Sequence, residues 1–179
     1  MSLEDELFQQ RLDRIPEIEA LGYRAYGQRF DFSHTIPQIV AEYAGTAAEQ
    51  LEPKIPVKIA GRIQTVRRMG KAGFLHLAQG GERLQIYIKK DAVPENAFKL
   101  YQNLDLGDLI GVEGYLFRTR TNELSVHVEN LTFLAKTLLA MPEKFHGLED
   151  VELRYRQRYL DLIASTESRK VFVTRAKII

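Results

Sequence analysis

Between residues 67 and 90 the sequence reads RRMGKAGFLHLAQGGERLQIYIKK, and its alternate positions carry Phe74, His76, Arg83, Gln85, Tyr87 and Lys89. Aromatic rings can stack on bases, amides and imidazoles can hydrogen-bond base edges, and cations can pair with phosphates. Arg67, Arg68 and Lys71 lie in the turn just before Phe74, and a second stretch, RTRTNELSVHV, adds Arg118, Arg120, Glu123, Ser125 and His127. The chemistry available to these residues is that of holding a single-stranded nucleic acid.

Charge distribution supports a polyanionic partner. Residues 1–55 hold 5 Lys/Arg against 10 Asp/Glu, whereas residues 56–90 hold 8 against Glu82 alone. The overall charge of +1 hides this local basic surface. Catalytic chemistry finds little support. His34, His76, His127 and His146 are far apart, and none stands beside a carboxylate at metal-ligand spacing. Gly70-Lys71 is followed by Ala72, so the turn is no P-loop, and there is no cysteine to act as nucleophile, thiolate ligand or disulfide. The acidic start MSLEDELFQQ lacks a signal-peptide pattern, and a cytoplasmic location is expected.

Periodicity supplies the elements that must position these groups. Leu7, Leu12, Ile15 and Ile18 recur at helical spacing over 3–22, with Pro16 expected to break or kink the run. A short helix is expected from Ile36 to Tyr43, capped by Ser33 or Thr35, and residues 45–56 read as a linker between prolines. From Val57 the period becomes two. Strands are expected at 57–68, 72–78, 83–90, 108–118 and 123–136, with a helix over 94–104 between the third and fourth. That order predicts a mainly β (α+β) chain built on a five-stranded OB-fold Greek-key barrel with flanking helices. Residues 1–55 form an N-terminal helical extension, 56–137 the barrel, and 138–179 a helical connector. The last helix, from Thr166 or Glu167, reaches Ile179 without a stop signal, so the chain is expected to be a fragment.

Side-chain parity tests the barrel. With Leu75, Leu77, Leu84, Ile86 and Ile88 inward, the outward row holds Phe74, His76, Gln85 and Tyr87, joined by Lys58, Arg62 and Gln64 of strand 1 and by Glu123, Ser125 and His127. That is the face on which such barrels bind oligonucleotides, between the 1–2 and 4–5 loops. Plainer explanations stand beside each residue: Phe74 as satellite core, Tyr87 as packing, Gln85 as strand surface, Arg67 and Arg68 as loop charges, Glu123 as a strand end.

Three blocks add a resemblance. GRIQTVRRMGKAGFLHL, LDLGDLIGVEGYLFRTRTNELSVHV and MPEKFHGLEDVELRYRQRYLDLI closely resemble the N-terminal part of bacterial-type class II lysyl-tRNA synthetases, over nearly all of 57–179. RYRQRYLDL alone is shared with the aspartyl and asparaginyl enzymes, whereas PEKFHGL and RTRTNELSV favour lysine. The resemblance implies an anticodon-binding domain for the U-rich anticodon loop of tRNA(Lys). Phe74 would stack on the central base, Gln85 and Arg67 would hydrogen-bond that base and its neighbours, and Glu123 would read the third. Asn122 stands where the family usually has glycine, and asparagine tolerates a positive φ there.

The resemblance also implies that the aminoacylation domain, which uses ATP and Mg2+ and supports a homodimer, begins about where this chain ends. The chain itself is expected to bind RNA, to hold no cofactor or metal and to catalyse nothing, with 143–179 partly disordered. Three rivals remain at this point: a stand-alone OB-fold without sequence preference, an aspartyl or asparaginyl anticodon domain, and a protein-interaction module docking through 1–22 and 151–179.

Overall fold

The computed structural model describes residues 3–27, 29–139 and 150–179. Those up to 139 form one compact unit and those from 150 a second.

Five strands make the first unit's centre: β1 (Pro56–Met69), β2 (Ala72–Gln79), β3 (Glu82–Lys89), β4 (Leu109–Arg118) and β5 (Leu124–Ala135). They close into a barrel in the order β1-β2-β3-β5-β4, antiparallel except where β3 meets β5. This is the OB-fold expected from the element order. Alternation fills the interior: Ile59, Leu75, Leu77, Ile86, Val112 and Val126 are all buried, while their neighbours along each strand face outward. Gly114 sits at a β4–β5 bulge, where a Cβ would run into the His127 carbonyl.

α1 (Leu3–Ala20), α2 (Ile36–Tyr43) and α3 (Glu95–Gln102) pack against the barrel. Thr35 caps α2, accepting from the Gln38 amide N–H at 3.3 Å while the Gln38 side chain accepts from Thr35 N at 2.8 Å. α1 runs unbroken through Pro16, contrary to the break expected there. Only Ile18 of this helix is buried, so water can reach the carbonyl that Pro16 leaves without a donor. The stretch 45–56 is no free linker either. It contains a 3-10 turn at Ala48–Leu51 whose Leu51 joins the same core as Ile18, Ile36 and Ile39.

A polar cluster ties the α3–β4 connection to the end of β5. Lys136 Nζ, fully buried, donates to Asp105 at 2.8 Å and to both oxygens of Asp108 at 2.8 and 3.0 Å. Arg14 of α1 pairs with Asp105 as well. Backbone N–H groups of Asp105 (2.8 Å) and Thr137 (2.9 Å) complete the shell of Asp108.

The second unit holds α4 (Val151–Arg156), α5 (Arg158–Ala164) and α6 (Thr166–Ile178). The helical connector expected over 138–179 is interrupted at Gln157, and Val151, Tyr155 and Tyr159 are exposed. Asp161 is buried here and accepts from Arg154 at 3.0 Å and from Arg158. The PEKFHGL block and the remainder of 140–149 lie outside the described residues, as does the first part of the stretch expected to be disordered. No helix among the described residues is long and apolar enough to cross a membrane.

Candidate nucleic-acid interface

Two parallel rows of side chains cross the outer face. In one, the strand register sets Arg67 beside Phe74, Phe74 beside Tyr87, Tyr87 beside His127 and His127 beside Tyr115. In the other it sets Thr65, His76, Gln85, Ser125 and Phe117 side by side. Each row draws one residue from every strand.

The first row is aromatic. Phe74 and Tyr87 lie 4.9 Å apart between ring centroids, and Tyr87 lies 5.5 Å from His127. His127 stacks on Tyr115 at 4.9 Å and 8°, and Lys54 Nζ caps the Tyr115 ring at 4.0 Å. Phe117 closes the cluster from the second row, 6.0 Å from Tyr87. Phe74 is half-buried against Tyr87, so its ring is held in place while still open to solvent. Burial first, and then the charge of Lys54, hold the His127 imidazole below its ordinary pKa. Its Nδ1 is buried and meets no hydrogen-bond partner among the described residues, which suits the neutral ring.

The second row is a hydrogen-bond chain. Thr65 Oγ1 lies 2.7 Å from His76 Nδ1, and His76 Nε2 lies 3.2 Å from Glu123 Oε1. Gln85 Nε2 donates to Glu123 Oε2 at 2.8 Å, and Ser125 Oγ donates to Gln85 Oε1 at 2.8 Å. Glu123 projects from the β4–β5 turn over this row. Asn122, beside it, has φ 64°, the positive value that an asparagine in a glycine position was expected to take. Thr119 Oγ1 accepts from the Glu123 N–H at 3.1 Å and fixes the turn from inside.

Phe74, His76, Gln85 and Glu123 are thus brought together, and Arg67 borders them. Arg67 arrives by a bulge. The β1–β2 register shifts between Ile63 and Thr65, so that Thr65 and Arg67, not Gln64 and Arg68, share the outward parity of His76 and Phe74. Among the described residues no hydrogen bond or ion pair engages the exposed Arg67 guanidinium. Arg68 goes elsewhere: it donates to the Leu104 carbonyl at 2.6 Å and lies 5.7 Å from the Tyr101 ring. Lys71 is exposed in the β1–β2 turn, outside both rows.

Three other cations read from sequence as facing the ligand are spent within the protein. Lys58 pairs with Glu113 at 3.1 Å, and Arg62 donates to the Gly107 carbonyl at 2.8 Å. Arg118 donates to the carbonyls of Tyr43, Ala44 and Thr46 at the end of α2, and to that of Asn122 at 2.7 Å. It clamps the β4–β5 turn from within the protein. Thr65, Tyr115 and Phe117 are members that the sequence reading missed. Tyr115 and Phe117 flank the inward Leu116, so extending the alternation to β4 reveals them. Thr65 is hidden by the bulge.

Comparison with known proteins agrees with this geometry. Residues 57–134 match the tRNA anti-codon family, described as an OB-fold nucleic acid binding domain. The chain is 47% identical over 178 residues to the lysine–tRNA ligase of Bacillus cytotoxicus, covering 99% of this chain and 36% of that protein. It is 46% identical over 175 residues to that of Shouchella clausii (97% and 35%), and 47% identical over 178 to that of Lysinibacillus sphaericus (99% and 35%). The chain therefore spans about a third of the length of these relatives. It is an anticodon-binding OB-fold domain matching the N-terminal region of the lysyl-tRNA synthetases.

Proposed function

We propose that this chain binds the anticodon loop of tRNA(Lys) on the outer face of β1, β2, β3 and β5. The observation that carries the reading is the meeting of Phe74 with the Gln85–Glu123 pair, joined at 2.8 Å: a ring for a splayed base beside a donor and an acceptor for its edge. Phe74 stacks on the central base. Gln85 and Arg67 hydrogen-bond that base and its neighbour, Glu123 reads the third, and Lys71 and His76 line the approach.

A stand-alone, sequence-indifferent OB-fold is less well supported, because the similarity to lysine–tRNA ligases continues through α4 to α6 beyond the barrel. In the longer protein to which such a region belongs, we place lysine attachment to tRNA, with ATP and Mg2+, and a homodimer, in the cytoplasm. Among the described residues no group of three or more His, Asp or Glu could hold a metal ion, so none is assigned to magnesium.

Binding of this chain to an anticodon stem-loop carrying UUU is compared with the same hairpin carrying UGU, at fixed near-physiological salt. We expect a preference for UUU of about tenfold or more, because an unmatched base edge leaves polar groups unpaired at about 1–3 kcal/mol, and expect it to be lost in Phe74→Ala, which no longer holds the base against Gln85. Equal binding of both hairpins reduces the function to generic single-strand binding. No binding to either, with Phe74→Ala and Gln85→Ala both silent, favours a protein-docking module.

A further inference from the structure

We propose that Arg83, with Arg120, forms a phosphate site at the opposite end of the face from Arg67 and Lys71, gripping the RNA backbone without reading its sequence. The inference rests on the anticodon reading above.

The cations around the barrel sort by what they touch. Lys58, Arg62, Arg68 and Arg118 are taken up by a carboxylate or by carbonyls, and Lys89 lies 3.9 Å from Asp91. Arg83 and Arg120 are exposed, and among the described residues no hydrogen bond or ion pair engages either. Glu82, the only acid between residues 56 and 90, takes the other parity of β3 and pairs with Gln79. Glu123 gives its carboxylate to His76 and Gln85 instead. A guanidinium is always charged, and its planar fork of N–H donors matches the oxygens of a phosphate.

Register puts these two arginines where a backbone would pass. The outward side chains of β3 run Arg83, Gln85, Tyr87 and Lys89, with Leu84, Ile86 and Ile88 buried between them. Arg83 sits opposite Ala78, one step past the His76–Gln85 pair on the side away from Phe74 and Tyr87. Because β3 and β5 run parallel with Gln85 level with Ser125, the residues before both belong to one end: Arg83, and Glu123 with its turn. Arg120 stands in that turn, which is closed by the Thr119 N–H on the Glu123 carbonyl at 3.0 Å and the Asn122 N–H on the Thr119 carbonyl at 2.9 Å. A base turns its hydrogen-bonding edge away from its own sugar. One that stacks on Phe74 with its edge on Gln85 therefore keeps its backbone at the Arg67 end. The next, with its edge on Glu123, finds that side filled and enters from the Arg83 end, so the backbone crosses from one group of cations to the other.

The test is the salt dependence of affinity for the UUU and UGU hairpins, in wild type, Arg83→Gln, Arg83→Lys, Arg120→Gln and Lys99→Gln. Lys99, exposed on α3 and paired with Glu95 at 2.7 Å, controls for net charge. Arg83→Gln is expected to weaken both hairpins by the same factor, about fivefold at near-physiological salt. The slope of log affinity against log salt is expected to become shallower by about 0.7–1, the share of one phosphate. Arg83→Lys should keep the wild-type slope, Lys99→Gln should leave slope and affinity alone, and Arg120→Gln should act as Arg83→Gln does. An unchanged slope in Arg83→Gln, an equal change in Lys99→Gln, or a loss confined to UUU overturns the inference, while a wild-type preference for UUU keeps the anticodon reading. A wild-type slope in Arg120→Gln overturns that residue's part. Equal wild-type binding of both hairpins with the Arg83→Gln slope change present overturns the anticodon reading and supports the phosphate site. No wild-type binding to either hairpin overturns both.

Discussion

Lys136→Met removes the cation from a site that has no access to solvent. Its Nζ holds Asp105 at 2.8 Å and both oxygens of Asp108, itself fully buried, at 2.8 and 3.0 Å. Removing one partner of such a pair costs about 3–5 kcal/mol, because the remaining charge is left without compensation. Asp108 keeps two backbone N–H donors, at 2.8 and 2.9 Å, which places the loss near the lower end, about 3 kcal/mol. That corresponds to a fall in melting temperature of roughly 10 °C for a unit of this size. The pH dependence follows from the carboxylates. Burial raises the Asp108 pKa against the pull of Lys136, and without Lys136 it rises further. Burial also pushes Asp105 up, but hydrogen bonds from Lys136 and Arg14 outweigh it and hold the group below its usual value. A lowered carboxylate contributes stability above its unfolded pKa that is lost as pH falls through the folded value. A raised one contributes stability in acid that is lost as pH rises. Both effects make the variant's deficit largest near neutrality and smaller in acid. Urea unfolding followed by circular dichroism at pH 7 and about pH 4.5 measures it. A loss under about 1 kcal/mol at pH 7, or a deficit that grows towards acid, refutes the reasoning.

Two further substitutions probe the interface scaffold. Arg118→Ala removes one donor from each of four carbonyls and loosens the turn beneath Glu123, so hairpin binding is expected to weaken by about tenfold and stability to fall by about 1–3 kcal/mol. Unchanged UUU binding in titrations would show that the turn needs no clamp. His127→Phe removes a buried, unpartnered Nδ1 while keeping a ring against Tyr115, and is expected to stabilise the chain by up to about 1 kcal/mol at pH 7. Because burial and Lys54 lower the His127 pKa, wild type loses stability as pH falls below the unfolded histidine value. The variant's acid limb should be flatter, and parallel denaturation profiles for the two proteins would contradict this.

The barrel was legible because its interior follows a two-residue alternation, unbroken through β2 and β3, and each strand pairs with neighbours that share it. Phe74 and Gln85 inherit their places from that alternation, and Glu123 from the turn that precedes β5. Where the chain departs from regularity, sequence reading lost its footing. A single extra residue near Gln64 exchanges the roles of Arg67 and Arg68, and period-two counting cannot see it. Arg118 looked like a phosphate contact because a charge in a loop says nothing of the carbonyls that α2 will bring within 3 Å. Pro16 was given its average effect on a buried helix, whereas α1 is buried at one residue. Leu51 stands just before Pro53 and was read as linker, although one apolar residue suffices to pin a loop to a core.

The short β3–β5 seam has a further consequence for how binding and folding are linked. Its ladder is only Gln85↔Ser125, Ile86↔Val126 and Tyr87↔His127, against seven or more pairs at every other junction, and it joins segments forty residues apart. With three pairs to set against the cost of closing the intervening loop, it is the least reinforced of the barrel's seams. It is also the place where Gln85 of β3 and Ser125 of β5, members of the proposed interface, come side by side. If RNA binds as proposed above, it acts as a rivet across this seam, and a chain in which the seam is open lacks the proposed site. Amide exchange at Ile86 and Val126 should slow when the hairpin is added, by the amount that the ligand's affinity and concentration dictate.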